Sequence, residues 1–429
     1  MTAPLPLRVD RAALQADVEA LSLLTDPDRP WTRRSFTPRF LEGRAWLHDR
    51  FEQAGLVVRI DAAGNLIGRW QAEDIAAAVV MTGSHCDTVP GGGRFDGIAG
   101  VLAGLAAIRA MKTAGHSPRH SIELVDFLAE EPSDWGLSCV GSRGMAGALS
   151  DTDLALVGPG GEVLAHAIDR IGGAVADLAT AQRDDICAFV ELHIEQGPVL
   201  ETEGRDVAIV TAIAGIARVR VRFTGIAAHA GTSPMIMRSD AGLALARFAL
   251  ALRDAARTQA GNSHFTATIG VQHLEPGGAN VVPGAAEAIV DLRAADTGAM
   301  DDFLNALPDL ARAAAKAENC SAETTAISNA PPVTCAAGLC DLIAKAAHTV
   351  DARAIRLVSG AGHDAAYIAR IAPAAMIFVP SRGGRSHCPE EWTDPEALAL
   401  GADVLLNALL LRDRAMPGPG RAPSKGNHP

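Results

Sequence analysis

Apolar positions recur at two spacings along this chain, and the spacings divide it. Leu14, Val18 and Leu21 repeat at helical intervals within Arg11 to Leu24, and Ile98, Val101, Leu102, Leu105 and Ile108 line one face of Gly97 to Lys112. Both segments read as helices. Leu56 to Ile60 and Ala76 to Thr82 are short β-rich runs, and Ser121 to Leu128 and Ala188 to Ile194 read as buried strands. Such strands alternating with helices predict an α/β fold, a sheet with helices on both faces. After Ala214 the pattern changes. Val219, Val221 and Phe223 alternate with Arg218, Arg220 and Arg222, the mark of a half-solvated strand in an antiparallel sheet. His264 to His273 and Ala286 to Arg293 are further strand candidates, with helices at Asp240 to Asp254 and Met300 to Lys316. Residues 215–328 therefore read as a smaller α+β domain inserted between 1–214 and 329–412. The α/β pattern returns with a helix from Leu339 to Thr349, a strand at Ala374 to Val379 and a last helix through Leu411. The Pro- and Gly-rich tail, 413–429, predicts disorder.

Composition narrows the field. The chain has 429 residues, 48% of them hydrophobic and 21% charged, enough for a sizeable core. Its net charge of −12 argues against a nucleic-acid partner, which calls for a basic face. Small anionic substrates stay open, because a site can be locally positive. The seven cysteines are odd in number and form no CxxC, so a disulfide framework is not expected and a reducing compartment fits. Met1 to Asp10 shows no basic stretch followed by an apolar run, and the longest apolar run, Ile75 to Met81, falls far below the ~20 residues of a membrane span. The expectation is a soluble cytoplasmic protein with no membrane partner.

Metal-binding residue types gather where the strands end. Gly83-Ser84-His85-Cys86-Asp87 follows an apolar strand; a histidine there can ligate a metal, and an acid two residues on can hold its other ring nitrogen. Asp96 sits on the Gly-rich turn Gly91-Gly92-Gly93-Arg94-Phe95-Asp96-Gly97, where a carboxylate can bridge two ions. Glu130 and Glu131 follow Ser121 to Leu128; adjacent carboxylates repel unless cations separate their roles. Alternation puts Glu191, His193 and Glu195 on one face, and Ser386-His387 follows Ala374 to Val379. Nitrogen and oxygen donors of this kind suit Zn²⁺, or Mn²⁺, Co²⁺ or Ni²⁺.

Taken together the motifs resemble the hydantoinase/carbamoylase family of amidases, a branch of the di-metal aminoacylase and carboxypeptidase G superfamily. The resemblance is carried by Gly83 to Val89, Phe95-Asp96-Gly97, Glu130-Glu131, Glu191-Leu192-His193-Ile194-Glu195-Gln196-Gly197-Pro198-Val199-Leu200, Ala228 to Met235, Asn280 to Gly284, Asp291-Leu292-Arg293, Ser359 to Ala365 and Ser386-His387. It implies a metallopeptidase-like catalytic domain with a mixed sheet, the insertion serving as lid and dimerisation domain. It implies two divalent ions, one held by His85, Asp96 and His193, the other by Asp96, Glu131 and His387, with Asp87 orienting His85 and Glu130 as general base. His229 would steady the oxyanion, Arg293 and Asn280 would hold a substrate carboxylate, and Gln196, Gly362 and His363 would face the substrate. The reaction implied is hydrolysis of the carbamoyl C–N bond of an N-carbamoyl-L-amino acid. Allantoate and N-carbamoyl-β-alanine are close alternatives, and an N-acyl amino acid or dipeptide a more distant one. A homodimer and hinges near Ala214 and Asn329 are implied as well.

The chain departs from the family's pattern in places. Pro132-Ser133-Asp134-Trp135 follows the Glu-Glu pair, so Asp134 and Trp135 could line the pocket, and Asp134 could pair with Arg143. Ala228 stands where an asparagine is common, and Cys86 and Cys388 neighbour two candidate ligands. Two readings of other classes remain open on sequence: a catalytically silent metal-binding protein, and a serine or cysteine amidase built on Ser138 or Cys139.

Overall fold

The structure is a computed structural model describing residues 6–261 and 264–415. The chain forms two compact units. Among the described residues the larger holds 6–210, 335–356 and 363–415, and the smaller holds 211–261, 264–334 and 357–362. The smaller unit thus takes in 211–214, 329–334 and the short run 357–362, which the sequence reading assigned to the larger domain. The last helix runs Pro395–Arg414. The expected disordered tail therefore begins inside that helix, and from 416 onward it lies outside the described residues.

In the larger unit the strand order is Val57–Ile60, Leu66–Trp70, Ser121–Phe127, Val79–His85, Ile186–Ile194, Ala374–Val379 and Val207–Ile213. The four middle strands are mutually parallel; their immediate neighbours, Leu66–Trp70 and Val207–Ile213, run antiparallel to them. Val79–His85 and Ser121–Phe127 are buried along their whole length, and the two acids buried in the second are paired, Glu123 with Arg69 and Arg183 and Asp126 with Arg44. Helices Arg11–Ser22, Ile98–Thr113 and Pro395–Arg414 pack together beside this sheet. Because the four parallel strands share a direction, the residues after His85, Phe127, Ile194 and Val379 all emerge at one end of the sheet. In open parallel sheets that carboxyl end is where ligands bind.

The smaller unit is a four-stranded antiparallel sheet in the order Ser321–Ala330, Gly215–Thr224, Ala285–Ala294, Phe265–Glu275. Helices Ala241–Gln259 and Thr297–Ala317 complete its core, where Val219, Val221, Phe223, Phe248, Val290 and Phe303 meet. The alternating arginines face the other side. Arg218 reaches Asp291 at 3.2 Å and Arg220 reaches Glu287 at 3.3 Å. Pairs this exposed each contribute about 0–1 kcal/mol, so the buried face stabilises the unit. No helix among the described residues is long and apolar enough to cross a membrane.

Candidate metal centre

The strand ends of the larger unit bring two donor triads together. Ligand atoms of His85, Asp96 and His193 lie within 4.8 Å of one another, and so do those of Asp96, Glu131 and His387. Asp96 belongs to both. Its Oδ1 lies 3.2 Å from His193 Nε2, and its Oδ2 lies 3.0 Å from His387 Nε2. His387 Nε2 is also 3.2 Å from Glu131 Oε1. Asp96, His85 and His193 are buried, whereas the His387 side chain is 48% exposed, so the cluster opens to solvent on that side.

Local structure explains how Asp96 gets there. The turn before helix Ile98–Thr113 needs Gly97 at φ +66°, and a Cβ at that position would lie 2.4 Å from the His85 ring. Glu391 fixes the same turn from the far end of the chain. Its Oε1 accepts the amides of Phe95 and Asp96 at 2.8 and 3.1 Å, and its Oε2 accepts from the Ser386 hydroxyl at 2.8 Å. One buried carboxylate therefore ties the Asp96 turn to the His387 loop. The sequence reading did not include it; an acid four residues beyond His387 was the available signal.

The ring nitrogens that do not face the cluster are held by main-chain carbonyls. His193 Nδ1 donates to Ile194 O at 2.9 Å and His85 Nδ1 to Asp87 O at 3.0 Å. Asp87 meets the His85 ring through its main-chain oxygen. Its carboxylate stands 3.5 Å from the His85 nitrogen and instead accepts the amides of Glu130 and Glu131 at 3.3 and 3.2 Å. Asp87 thus sets both the ring of His85 and the backbone of the Glu-Glu pair. That backbone is bent at Ala129, which has φ +50°, and the two side chains diverge: Glu131 towards His387, Glu130 to 3.6 Å from His85 Nε2.

Electrostatics separates the carboxylates. Burial opposes ionisation of Asp96, yet hydrogen bonds from His193 and His387 hold it well below the usual carboxylate range. Burial pushes Glu130 well above that range, against the pull of His85, with Glu131, Asp364 and Asp87 adding to the rise. A buried carboxylate tuned upward is suited to accept and return a proton near neutral pH. Among the described residues no lysine or arginine pairs with Asp96, Glu130 or Glu131. Three buried acids whose only potentially cationic partners among the described residues are histidines suit divalent cations.

The remaining candidates divide by unit. Gln196 Nε2 lies 3.1 Å from each Asp96 oxygen and 3.2 Å from Ser386 Oγ. The His363 ring is buried 4.5 Å from that of His193. His229, Asn280, Arg293 and Gly362 belong to the smaller unit. There His229 pairs with Val281 across a short ladder, its Nδ1 accepts from the Gly231 amide at 3.1 Å, and the Asn280 carbonyl accepts from Ala230. Arg293 donates from Nε to Asp291 and from Nη1 to the Gly360 carbonyl at 2.7 Å.

Two residues grouped with the cluster on sequence do other work. Glu195 accepts the amides of Val199 and Leu200 and so caps a short helix. Glu191 accepts from the Ser84 hydroxyl and the Ala365 amide, although a carboxylate oxygen also lies within 4.8 Å of donor atoms of His193 and His363. The departures from the family's pattern also resolve. Trp135 is buried, edge-on to Phe36, with its indole N–H on Glu162 O. Asp134 pairs with Arg34 rather than Arg143, whose guanidinium stacks on Tyr367. Cys86 and Cys388 join neither donor triad.

Comparison with known proteins agrees with this geometry. Residues 81–411 match Peptidase family M20/M25/M40. An N-carbamoyl-L-amino-acid amidohydrolase of Paenarthrobacter aurescens is 36% identical, over 94% of this chain and 98% of the relative. A ureidoglycolate hydrolase of Arabidopsis thaliana is 36% identical, over 93% of this chain and 86% of the relative. The crystal structure of a hydantoinase/carbamoylase family amidase from Burkholderia multivorans superposes with a TM-score of 0.88 at 33% identity, covering 95% of this chain and 98% of that one. The chain belongs to the metal-dependent peptidase family M20/M25/M40, among its hydantoinase/carbamoylase amidases, and is a hydrolase of C–N amide bonds.

Proposed function

We propose that the chain hydrolyses the carbamoyl C–N bond of small N-carbamoyl-L-amino acids with two divalent ions, Zn²⁺ foremost and Mn²⁺, Co²⁺ or Ni²⁺ as alternatives. The observation that carries the proposal is Asp96, whose two oxygens face two different histidines. His85, Asp96 and His193 would hold one ion, and Asp96, Glu131 and His387 the other. When bound, the ions supply Lewis acidity towards water and towards the ureido carbonyl.

The chain's own groups supply the rest. Glu130 takes a proton from the attacking water as its oxygen bonds to the ureido carbon. Glu130 then returns the proton to the α-nitrogen as the C–N bond breaks, leaving amino acid and carbamate; the latter decomposes to CO₂ and ammonia. The Asp87 carboxylate on the amides of Glu130 and Glu131 holds the base in place. In this reading Gln196, His363 and Gly362 face the substrate. His229 donates to the developing oxyanion. Arg293, with Asn280, receives the substrate carboxylate as a two-donor fork.

The relatives' names include ureidoglycolate hydrolase. Ureidoglycolate carries the same ureido and carboxylate groups, so it is the second reading. Metal-loaded protein offered carbamoyl-amino acids, ureidoglycolate, allantoate, carbamoyl-β-alanine and acyl-amino acids, with ammonia and free amine both measured, separates them. Ammonia and amino acid released from carbamoyl-amino acids support the proposal; turnover of acyl-amino acids alone overturns it. Homodimerisation through the smaller unit is part of the same proposal, and light scattering that finds single chains at working concentration would remove it. The seven cysteines are free, which supports a reducing, cytoplasmic setting.

A further inference from the structure

On the larger unit, a crevice lies between the first helix and the Arg94-Phe95 turn. Its apolar walls are Leu14, Val18, Phe95, Trp392 and Leu398, and it encloses about 440 Å³ counting its open mouth. About 40 Å³ of that is open to the centres of water-sized molecules, room for about three waters. Arg94 also lines the crevice. Its guanidinium lies 4.6 Å from the Trp392 ring centroid, 4.9 Å from that of Trp31 and 5.9 Å from that of Phe95. Its Nε is buried without a hydrogen-bond partner, and among the described residues no carboxylate pairs with it.

Arg11 and Glu19 also line this crevice, and neither forms an ion pair with Arg94. Arg11 reaches Glu396 at 3.4 Å, and Glu19 accepts from Gln15 at 2.9 Å. One cation, held flat by aromatic rings and lacking an anion, therefore stands at the edge of an apolar cleft. A guanidinium presents parallel donors that match a carboxylate, and stacking spends none of them. We propose that this crevice is a second ligand site, for a small carboxylate with a short branched aliphatic body, its carboxylate on Arg94 and its body among Leu14, Val18 and Leu398. The site is distinct from the metal centre and does not depend on the substrate assigned above. Its occupant would rest against Phe95 and Trp392, the chain neighbours of Asp96 and Glu391.

Isovalerate, with isovaleramide as its neutral counterpart, tests this by calorimetry on metal-loaded protein carrying Arg293→Gln, which removes the proposed carboxylate handle of the smaller unit. The expected result is one isovalerate per chain, at least tenfold tighter than the amide. Adding Leu14→Trp, which fills the crevice, or Arg94→Gln should weaken it at least tenfold. Val18→Phe offers a second way to fill the cleft should Leu14→Trp fail to fold. Equal binding of acid and amide, binding undiminished in the filled variants, or no binding in the Arg293→Gln protein overturns the proposal.

Discussion

The two units hold their candidate functional groups in opposite ways. In the larger unit His85, Asp96, Glu130, Glu131 and His193 are buried and cross-held by main-chain amides and carbonyls. In the smaller unit His229 and Asn280 are exposed, and Arg293 rests on Asp291 and a backbone carbonyl. The first arrangement keeps a fixed constellation independent of substrate. The second leaves donors at a surface, where a substrate can engage them. Chemistry and recognition are thus built with different rigidity.

That contrast can be broken at several points. Glu130→Gln should retain metal, because the carboxylate removed belongs to neither triad, and should lower kcat roughly 10²–10⁴-fold, the usual worth of a positioned acid–base group. Undiminished turnover would place the base elsewhere, and survival of activity after chelation would revive the nucleophile reading. His229→Ala should lower kcat roughly 10²–10³-fold, the range for one oxyanion donor, with metal content and thermal midpoint unchanged. Metal loss in that variant would deny the division between units. Arg293→Lys, which replaces a fork by a point charge, should act mainly on KM, roughly tenfold, as expected for about 1.5 kcal/mol of charge-assisted hydrogen bonding. An effect on kcat alone would argue against a carboxylate handle.

How far the sequence reached follows the same contrast. The strand ends were legible because the buried parallel strands are rich in apolar residues and are followed by clustered polar residues after His85, Phe127 and Ile194. The alternating arginines of Gly215–Thr224 identified the half-solvated sheet directly. Helix Pro38–Gln53 escaped because Arg44 interrupts its buried stripe; its guanidinium is buried on Asp126 at 2.8 Å, a partner no local pattern announces. Strand Ser321–Ala330 escaped because it is a mostly exposed edge rich in Ser, Thr and Ala, without apolar alternation. Glu391 and the carbonyl role of Asp87 needed the fold. One acts on a residue 296 positions away, and the other depends on which atom of Asp87 faces the ring.

The smallest expected effect lies outside both sites and serves as a control. Asp413 accepts amides of Arg119 and His120 and meets the His116 ring at 2.8 Å. Burial opposes its ionisation, but those hydrogen bonds hold it below the usual range. A depressed folded-state pKa adds stability above the unfolded pKa and loses it as pH falls through the folded value. Asp413→Asn should therefore cost about 1–3 kcal/mol near neutral pH in urea unfolding, and less in acid. Activity per folded chain should not change, and a pH-independent loss would contradict the assignment.

The central claim is that one carboxylate, Asp96, is shared by two metal-binding triads. Equilibrium metal titration of the wild type and three variants tests it most directly. The account predicts two ions per chain for the wild type, one each for His193→Ala and His387→Ala, and none held tightly by Asp96→Ala. A wild type that never exceeds one ion, or an Asp96→Ala protein that still binds two, would contradict it.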